Sequence, residues 1–204
     1  MRDEYKYIDQ EYTYIDPKTG VLRNLGNIDD ERLLSAFEGL KVARRLEELN
    51  DNPIKIINSS ALFEIHKYLF QDVYKWAGER RIVEISKAGK QFFPLNHFDT
   101  ALVYIDNLIS NFYKLDKKDI GKIARQLANI LDTVNELHPF REGNGRTQRE
   151  MVRTLALEKG YVLNLNPPND LEVYGRYISG TINSDVEKLT VLIHELLVKL
   201  ICLH

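Results

Sequence analysis

Twelve consecutive residues, 138–149, bring together the side chains of this chain that could do chemistry as a group. This signature segment reads His-Pro-Phe-Arg-Glu-Gly-Asn-Gly-Arg-Thr-Gln-Arg. Its first residue, His138, precedes a proline, which disfavours helical geometry at the residue before it. We therefore expect His138 at the end of a helix, where its ring can face a cleft. A histidine in that position titrates near neutral pH and can take a proton from a hydroxyl group.

The run Gly143-Asn144-Gly145 predicts an anion site, because it lies directly before an expected helix. Glycine lets the backbone approach a ligand closely. The N–H groups at a helix N-terminus then point at the ligand, and the helix dipole favours negative charge there. A Gly-Asn-Gly run by itself is most often an ordinary turn, so this prediction depends on its neighbours in the sequence.

Charged side chains beside this turn fit the phosphates of a nucleotide. Arg146 and Arg149 are three residues apart and therefore share one face of a helix, and a guanidinium group suits phosphate geometry. Glu142 can bind Mg²⁺, which usually takes one or two carboxylates together with substrate phosphates. Such arginines usually lie on a solvated face, but the order and spacing of the whole segment favour a site for a nucleotide and a metal ion.

Most of the remaining sequence predicts helices. Apolar residues recur at helical spacing between capping residues and breakers. The predicted helices start near Asp30, Ser59, Phe98, Lys117, Arg146, Asp170 and Asp185, and end near Leu49, Gly78, Tyr113, Leu137, Gly160, Thr181 and Ile201. In the first helix, the apolar face that we expect to be buried consists of Leu33, Phe37, Leu40, Ala43 and Leu46. A β-type run at 82–85, a turn at Ala88-Gly89 and an extended stretch at 91–93 predict one short β-hairpin. The fold class is therefore mostly α, and Pro167-Pro168 breaks the chain before the last two helices.

Composition limits the classes of function. With 204 residues, 44% of them hydrophobic, the chain can bury one core as a single domain. Its net charge of −2 provides no overall basic field for nucleic acid or anionic lipid. No apolar stretch approaches a membrane span, and the N-terminus lacks a signal-peptide core. The single cysteine, Cys202, excludes an internal disulfide, and the other histidines show no zinc-ligand spacing. We expect a cytoplasmic protein without direct contact to nucleic acid or membrane.

The signature segment resembles that of the Fic family, His-x-Phe-x-(Asp/Glu)-Gly-Asn-Gly-Arg-x-x-Arg, and fills every specified position. Residues 65–78 resemble the first core helix of the family, and residues 85–94 resemble its flap hairpin. The resemblance implies a Fic-like helical bundle with one short β-hairpin flap. The implied single domain, 1–204, consists of an N-terminal extension (1–30), an N-terminal helix and loop (31–58), and the Fic core with C-terminal helices (59–204).

The resemblance implies a protein adenylyltransferase, which transfers AMP from ATP to a Tyr, Thr or Ser hydroxyl of a target protein. By position, His138 would deprotonate the hydroxyl group and be the catalytic residue. Phe140 would anchor the loop in the core, and Glu142 would bind Mg²⁺ at the α- and β-phosphates. Self-modification is common in the family, so the chain itself is a further candidate acceptor.

The nucleotide-binding residues implied by the resemblance follow directly. The backbone of Gly143, Asn144 and Gly145 would hold phosphates, with help from the Asn144 side chain. Arg146 would bind the β-phosphate region, and Arg149 would bind the γ-phosphate. A glycine at 143 favours AMP transfer over the phosphorylating Doc-like branch, which typically has a bulkier residue there.

Two further regions carry implied roles. The flap would bind the target's backbone by adding a strand, through Ile85, Ser86 and Lys87. The alternative is an ordinary hairpin over the core. Tyr174, Tyr177 and Asn183 lie where the family places its adenine and ribose pocket, and core packing is an equal alternative for them.

Regulation stays open at the level of the sequence. Many Fic enzymes carry an inhibitory helix with the pattern Ser/Thr-x-x-x-Glu-(Gly/Asn), whose glutamate pairs with the second arginine of the signature. The stretch from Ser35 to Gly39 is one residue short of this pattern, which makes Glu38 a candidate inhibitory residue. The alternatives are a separate small antitoxin protein, as for the toxin of a toxin–antitoxin pair, and no inhibitor at all.

Two other functions also stay open. A protein with this segment could be a non-catalytic interaction module that binds ATP, although the complete signature argues against it. A Fic enzyme could also transfer a different nucleotide or phosphate-containing group, such as UMP or phosphocholine, because only the base pocket decides this.

Overall fold

The structure is a computed structural model that describes residues 5–7, 9, 11–87, 90–166 and 170–200. Its helices are α1 (Glu31–Asp51), α2 (Ser60–Phe70), α3 (Phe98–Lys114), α4 (Ile120–Leu137), α5 (Asn144–Glu158), α6 (Leu171–Ile182) and α7 (Val186–Leu196). Its strands are β1 (Tyr5–Tyr7), β2 (Ile85–Lys87), β3 (Lys90–Gln91), β4 (Tyr161–Val162) and β5 (Val198–Lys199). The mostly α fold class is confirmed. The predicted turn at 88–89, the break at 167–168 and Cys202 lie outside the described residues.

Helix α4 forms the centre of the bundle and contacts α3, α5 and α7. Its N-terminus is capped by Asp119, whose Oδ1 accepts the backbone N–H of Lys122 at 3.1 Å. One face carries apolar side chains at helical spacing, and all of them are buried: Ile123, Leu127, Ile130, Leu131 and Val134. The last residues of the helix, and the start of the signature segment after them, therefore lie in the interior.

Helix α1 buries a different face from the predicted one. Leu33 and Leu40 are 63% and 73% exposed and Ala43 is exposed as well, so three residues of the predicted stripe face outwards. The buried residues are Leu34, Glu38, Val42 and Leu49. A shift of one residue rotates a helical face by about 100°. The rule that apolar residues mark the buried side fails here because the inner face includes a glutamate.

Two helices end earlier than predicted. Helix α2 stops at Phe70, and residues 71–78 form turns that end at Gly78 with a φ of 83°. A Cβ atom at Gly78 would lie 2.6 Å from Lys67 Cβ, so this turn packs directly against α2. Ser59 precedes α2 without a side-chain capping bond. Helix α7 ends at Leu196 rather than at 201, because residues 198–199 pair with β4 instead.

The predicted hairpin is part of a three-stranded sheet. Strand β2 begins at Ile85, and its antiparallel partner β3 pairs Ser86 with Gln91. Its other edge pairs antiparallel with β1, in the register Tyr7 to Ile85 and Tyr5 to Lys87. The sheet order β1-β2-β3 places β2 in the centre. The sequence did not predict β1, because a three-residue strand is too short to show a pattern.

None of the helices in the described part of the chain is long and apolar enough to cross a bilayer.

The packing of α6 on α7 leads to a test with two glycines of the same helix. A Cβ at Gly180 would lie 2.5 Å from Cδ2 of the fully buried Leu189, whereas a Cβ at Gly175 meets nothing within 4 Å. We expect Gly180→Ala to lower the free energy of unfolding by about 1–3 kcal/mol through overpacking. Gly175→Ala should raise it by about 0.5–1 kcal/mol through helix propensity. Urea unfolding measures both, and equal effects of the two variants would contradict this packing.

Candidate active site

His138 lies at the C-cap of α4, as its position before Pro139 predicts. Its backbone is left-handed, with φ 46° and ψ 60°. The imidazole stacks on Phe92 with ring centroids 3.8 Å apart, and Nδ1 lies 3.2 Å from the carbonyl oxygen of Asn135. Because a carbonyl only accepts hydrogen bonds, this contact puts the proton of the neutral ring on Nδ1. Nε2 then carries the lone pair that a base requires.

The loop after α4, residues 138–143, is closed by the side chain of Asn144. Its Nδ2 donates to the carbonyl oxygen of Phe140 at 2.8 Å, and its Oδ1 accepts the N–H of Phe140 at 2.9 Å. The Asn144 side chain is 6% exposed, so both of its polar ends serve the loop. We expected this side chain to assist phosphate binding; in the structure it fixes the backbone of the loop.

His66 supports the same loop from α2. Its Nδ1 accepts the N–H of Gly78 at 2.8 Å, which leaves Nε2–H to donate to the carbonyl oxygen of Glu142 at 3.0 Å. The ring stacks between Phe140, at 3.7 Å, and Phe70, at 4.6 Å. Burial lowers the pKa of His66 to about 3, so the ring is neutral. Both hydrogen-bond partners of this buried ring lie outside α2.

Arg81 connects the loop to the base of the flap (residues 85–94). Its backbone N–H donates to the carbonyl of Pro139 at 2.7 Å, and Nε donates to the carbonyl of His138 at 2.8 Å. The two remaining guanidinium nitrogens donate to the carbonyls of Val83 and Phe93, at 2.7 and 2.5 Å. The side chain is fully buried. Sequence reasoning missed this residue, since nothing distinguishes it from neighbouring surface arginines until the fold is known.

The N-terminus of α5 has the geometry of an anion site. Gly143 has a φ of 83°, and a Cβ there would lie 2.3 Å from the ring of Phe70. Backbone conformation and lack of space therefore both require glycine. The first N–H groups of α5, at 144–146, have no partner within the helix, as at any helix N-terminus. They converge at the end of the loop that begins with His138.

Arg146 is held from the side of α1. Its Nη2 donates to Oε1 of Glu38 at 2.5 Å, and its guanidinium lies 4.8 Å from the centroid of the Phe70 ring. The same Nη2 is 3.7 Å from Oε1 of Glu142. Glu38 thus contacts the first arginine of the signature, whereas the inhibitory pattern requires contact with the second.

Arg149 has aromatic neighbours. Its guanidinium lies 5.2 Å from the ring of Tyr177 and 5.8 Å from that of Tyr174, and Nη1 is 3.4 Å from Tyr177 Oη. No carboxylate of the described residues lies within ion-pair distance of it. Of the three residues suggested for an adenine pocket, these two tyrosines lie together. Asn183 is exposed at the end of α6 and donates to the carbonyl of Ser179 at 2.8 Å.

Glu142 is the carboxylate suited to a metal ion. It is partly exposed, and its Oε1 accepts the N–H of Gly143 at 2.9 Å. Within the described ranges, no group of three or more His, Cys, Asp or Glu side chains could hold a metal by itself. One carboxylate at an anion site fits Mg²⁺, because this ion completes its ligands with substrate phosphates and water.

The predicted target-binding residues lie in β2. The Ile85 side chain is buried, Ser86 is partly buried, and the side chain of Lys87 lies outside the described part. The flap extends beyond the ladder through a hydrogen bond from the N–H of Phe92 to the carbonyl of Ile85, at 3.0 Å. Its Phe92 ring then covers His138.

The buried, neutral His66 predicts a specific dependence of stability on pH. Its folded pKa of about 3 lies below the unfolded value of about 6.5, so the unfolded state binds more protons between these values. Stability from His66 is therefore lost as the pH falls through this window. Glutamine can replace both hydrogen bonds without titrating. From about pH 7 to about pH 5, the free energy of unfolding of the natural protein should fall by about 2 kcal/mol more than that of His66→Gln. Urea unfolding at each pH measures this difference. An equal fall of the free energy of unfolding in the two proteins would show that His66 is not held neutral.

Comparisons with known proteins show related sequences and a related structure. The model of the Fic/DOC family matches residues 56–156. The chain is 36% identical over 157 residues to the protein adenylyltransferase VbhT of Bartonella schoenbuchensis. The matched region covers 76% of this chain but only 33% of VbhT. It is 35% identical over 175 residues to the probable protein adenylyltransferase y4lH of Sinorhizobium fredii, covering 80% of this chain and 86% of that protein.

A solved structure shows the same fold. It is the N-terminal Fic domain of a VirB-translocated Bep effector protein from Bartonella quintana with bound ADP. The TM-score is 0.82 at 21% identity, over 93% of this chain and 96% of that one. With the complete signature segment and a relative matched over most of its length, the chain belongs to the Fic/DOC family.

Proposed function

We propose that this protein is a protein adenylyltransferase that transfers AMP from ATP to a hydroxyl group of a target protein. One observation carries the proposal: a short buried loop places His138 at one end and the N-terminus of α5 at the other. A base and an anion site are what such a transfer requires. Of the relatives named above, one is a protein adenylyltransferase and the other a probable one, and the Bartonella quintana structure contains ADP.

The proposed reaction begins with a proton transfer. Nε2 of His138 takes the proton of the target hydroxyl, and the oxygen attacks the α-phosphorus of ATP. The bond from the α-phosphorus to the oxygen that bridges to the β-phosphate breaks, and pyrophosphate leaves with that bond's electron pair. The product is a phosphodiester between the target and AMP. The contact of Nδ1 with the Asn135 carbonyl supports this role, because it keeps Nε2 as the basic atom.

The phosphates are proposed to lie over the start of α5. Its N–H groups and the helix dipole favour negative charge, and Arg146 and Arg149 add charged donors from the same helix. Glu142 would hold Mg²⁺, which supplies neutralisation of phosphate charge when bound. Pre-oriented donors of this kind stabilise charge that develops in the transition state.

The chemistry is tested with the protein's own chain as acceptor. Intact-mass spectrometry after incubation with Mg-ATP should show addition of one AMP group to the natural protein. His138→Ala should lower the initial rate on the order of 100-fold or more, because general-base catalysis is lost. His194→Ala is the matched control, since His194 is exposed on α7, and should react normally.

A bacterial lysate with labelled ATP provides the second acceptor for this test. Mg-ATP binding without transfer to chain or lysate would favour the non-catalytic binding module. Transfer that persists in His138→Ala would exclude His138 as the base. Transfer of UMP or phosphocholine in preference to AMP would move the assignment to another donor.

The flap is proposed to bind the target by strand addition at β2. The support is that this edge already pairs with an antiparallel segment, β1, from the same chain. A target strand on that edge would have to replace residues 5–7. A three-residue strand is held by few hydrogen bonds, so replacing it costs little free energy.

This exchange is tested by weakening β1. Lys6→Pro removes a backbone N–H and disfavours pairing opposite Ser86. We expect AMP labelling of lysate proteins to rise by about two- to tenfold, because the free edge becomes more populated. The affinity for Mg-ATP should stay unchanged, which serves as the internal control. Lower labelling with unchanged ATP affinity would instead show that β1 helps to form the target site.

Inhibition by a separate small protein is proposed to act at Arg149. The support is that Arg149 has tyrosine rings, and no carboxylate of the described residues, beside it. Glu38, the candidate inhibitory residue, contacts Arg146 instead. A carboxylate from a partner could pair with Arg149 and displace the γ-phosphate.

ATP as the donor also favours action in the cytoplasm.

A further inference from the structure

We propose that Glu38 is a positioning residue that orients Arg146 for the phosphates, and not an inhibitor. The proposal rests on the adenylyltransferase function, since it assigns Arg146 to the bound nucleotide. It concerns a contact between α1 and α5 across 108 residues of sequence. Helix α1 lies outside the residues matched by the family model.

The carboxylate of Glu38 is held from two sides. Its Oε1 accepts from Arg146, and its Oε2 accepts from the hydroxyl of Tyr74. Glu38 is 8% exposed and Tyr74 is 2% exposed. Tyr74 lies in the turns after α2 and stacks on Trp76 with ring centroids 4.3 Å apart. The carboxylate is therefore fixed inside the wall of the site.

The Tyr74 hydroxyl acts as a permanent donor. Burial and the neighbouring Glu38 raise its pKa well above the usual range, so it stays protonated. A buried carboxylate is costly unless it is paired and hydrogen-bonded. Glu38 satisfies both conditions through Tyr74 and Arg146, and swinging toward a nucleotide would break the bond to Tyr74.

Arg146 keeps donors for a ligand in this arrangement. A guanidinium group has five N–H donors, and the Glu38 contact uses only Nη2. Its Cζ atom also lies over the Phe70 ring, 4.8 Å from the centroid, and this is the ring that forces glycine at 143. A long flexible side chain is thereby fixed before the substrate arrives, which lowers the entropy lost on binding.

The inhibitory pattern requires different geometry. Its glutamate pairs with the second arginine of the signature, which here is Arg149. Glu38 instead pairs with the first, and the stretch around it is one residue short of the pattern. Since one residue corresponds to about 100° of helix rotation, the shorter spacing and the different partner agree.

The first measurement compares Glu38→Gln with Glu47→Gln, an exposed glutamate of the same helix. For Glu38→Gln we expect the rate of AMP transfer at saturating Mg-ATP to fall on the order of 10- to 100-fold, because a displaced group costs about this much. Its Kd for Mg-ATP should rise by about two- to tenfold. Glu47→Gln should match the natural protein, and thermal melting confirms that each variant is folded.

The second measurement asks whether Glu38 acts through Arg146. In the Arg146→Lys background, the substitution Glu38→Gln should cause at most about a twofold further loss of transfer rate, since the group to be positioned is gone. Tyr74→Phe should give a smaller loss than Glu38→Gln, because the pair with Arg146 is kept. Losses that multiply independently would indicate a purely structural role and overturn the proposal.

The outcomes separate this proposal from the function on which it rests. Faster transfer and tighter Mg-ATP binding in Glu38→Gln would show inhibition and overturn positioning. If the natural protein binds Mg-ATP but transfers no AMP, the proposed function fails. The Kd values for Mg-ATP of Glu38→Gln and of the double variant then decide whether Glu38 is a positioning residue. Weaker binding than in the natural protein would support this role, and unchanged or tighter binding would reject it.

Discussion

The backbone of residues 138–143 has left helix α4 but is still largely buried, so its polar groups need partners inside the protein. The partners come from helix α2, helix α5 and the segment that precedes β2. Arg81 donates to the carbonyls of 138 and 139, Asn144 pairs with both polar groups of 140, and His66 donates to the carbonyl of 142. Thr147 donates to the carbonyl of 143 at 3.0 Å. Meeting this requirement fixes His138 and the N-terminus of α5 relative to each other.

The aromatic side chains around the loop follow from the same constraint. Once His66 must be buried to reach the loop, its ring needs apolar neighbours, which Phe140 and Phe70 provide. Phe70 in turn leaves no room for a side chain at Gly143 and carries the guanidinium of Arg146. A single ring thus links loop conformation to the placement of a charged group. Close packing of this kind transmits small displacements, because interiors contain few voids.

Two elements outside the core bundle contact this assembly. The flap is joined to the loop through Arg81 and covers His138 with Phe92. Helix α1 reaches Arg146 through Glu38. Anything that moves the flap or α1 therefore acts on the groups at the two ends of the loop. The proposed target binding at the flap would therefore have a direct physical route to His138.

The sequence by itself determined the parts of this protein that depend on local chemistry. Pro139 predicted the helix end at His138, glycine at 143 predicted the turn into α5, and apolar spacing predicted α3 and α4 closely. The spacing of the signature residues was enough to indicate a nucleotide site. These features are encoded within a few residues of each other, so reading the chain in order recovers them.

Only the tertiary structure decided which distant side chains complete the site. The contacts of Arg81, His66 and Glu38 carry no local signal, because each joins residues from separate parts of the sequence. The buried face of α1 was predicted wrongly for the same reason, because a glutamate belongs to it. Strand β1 depends on an edge formed about 80 residues later. Such choices arise from the requirement that buried polar groups find partners, and those partners are known only once the chain has folded.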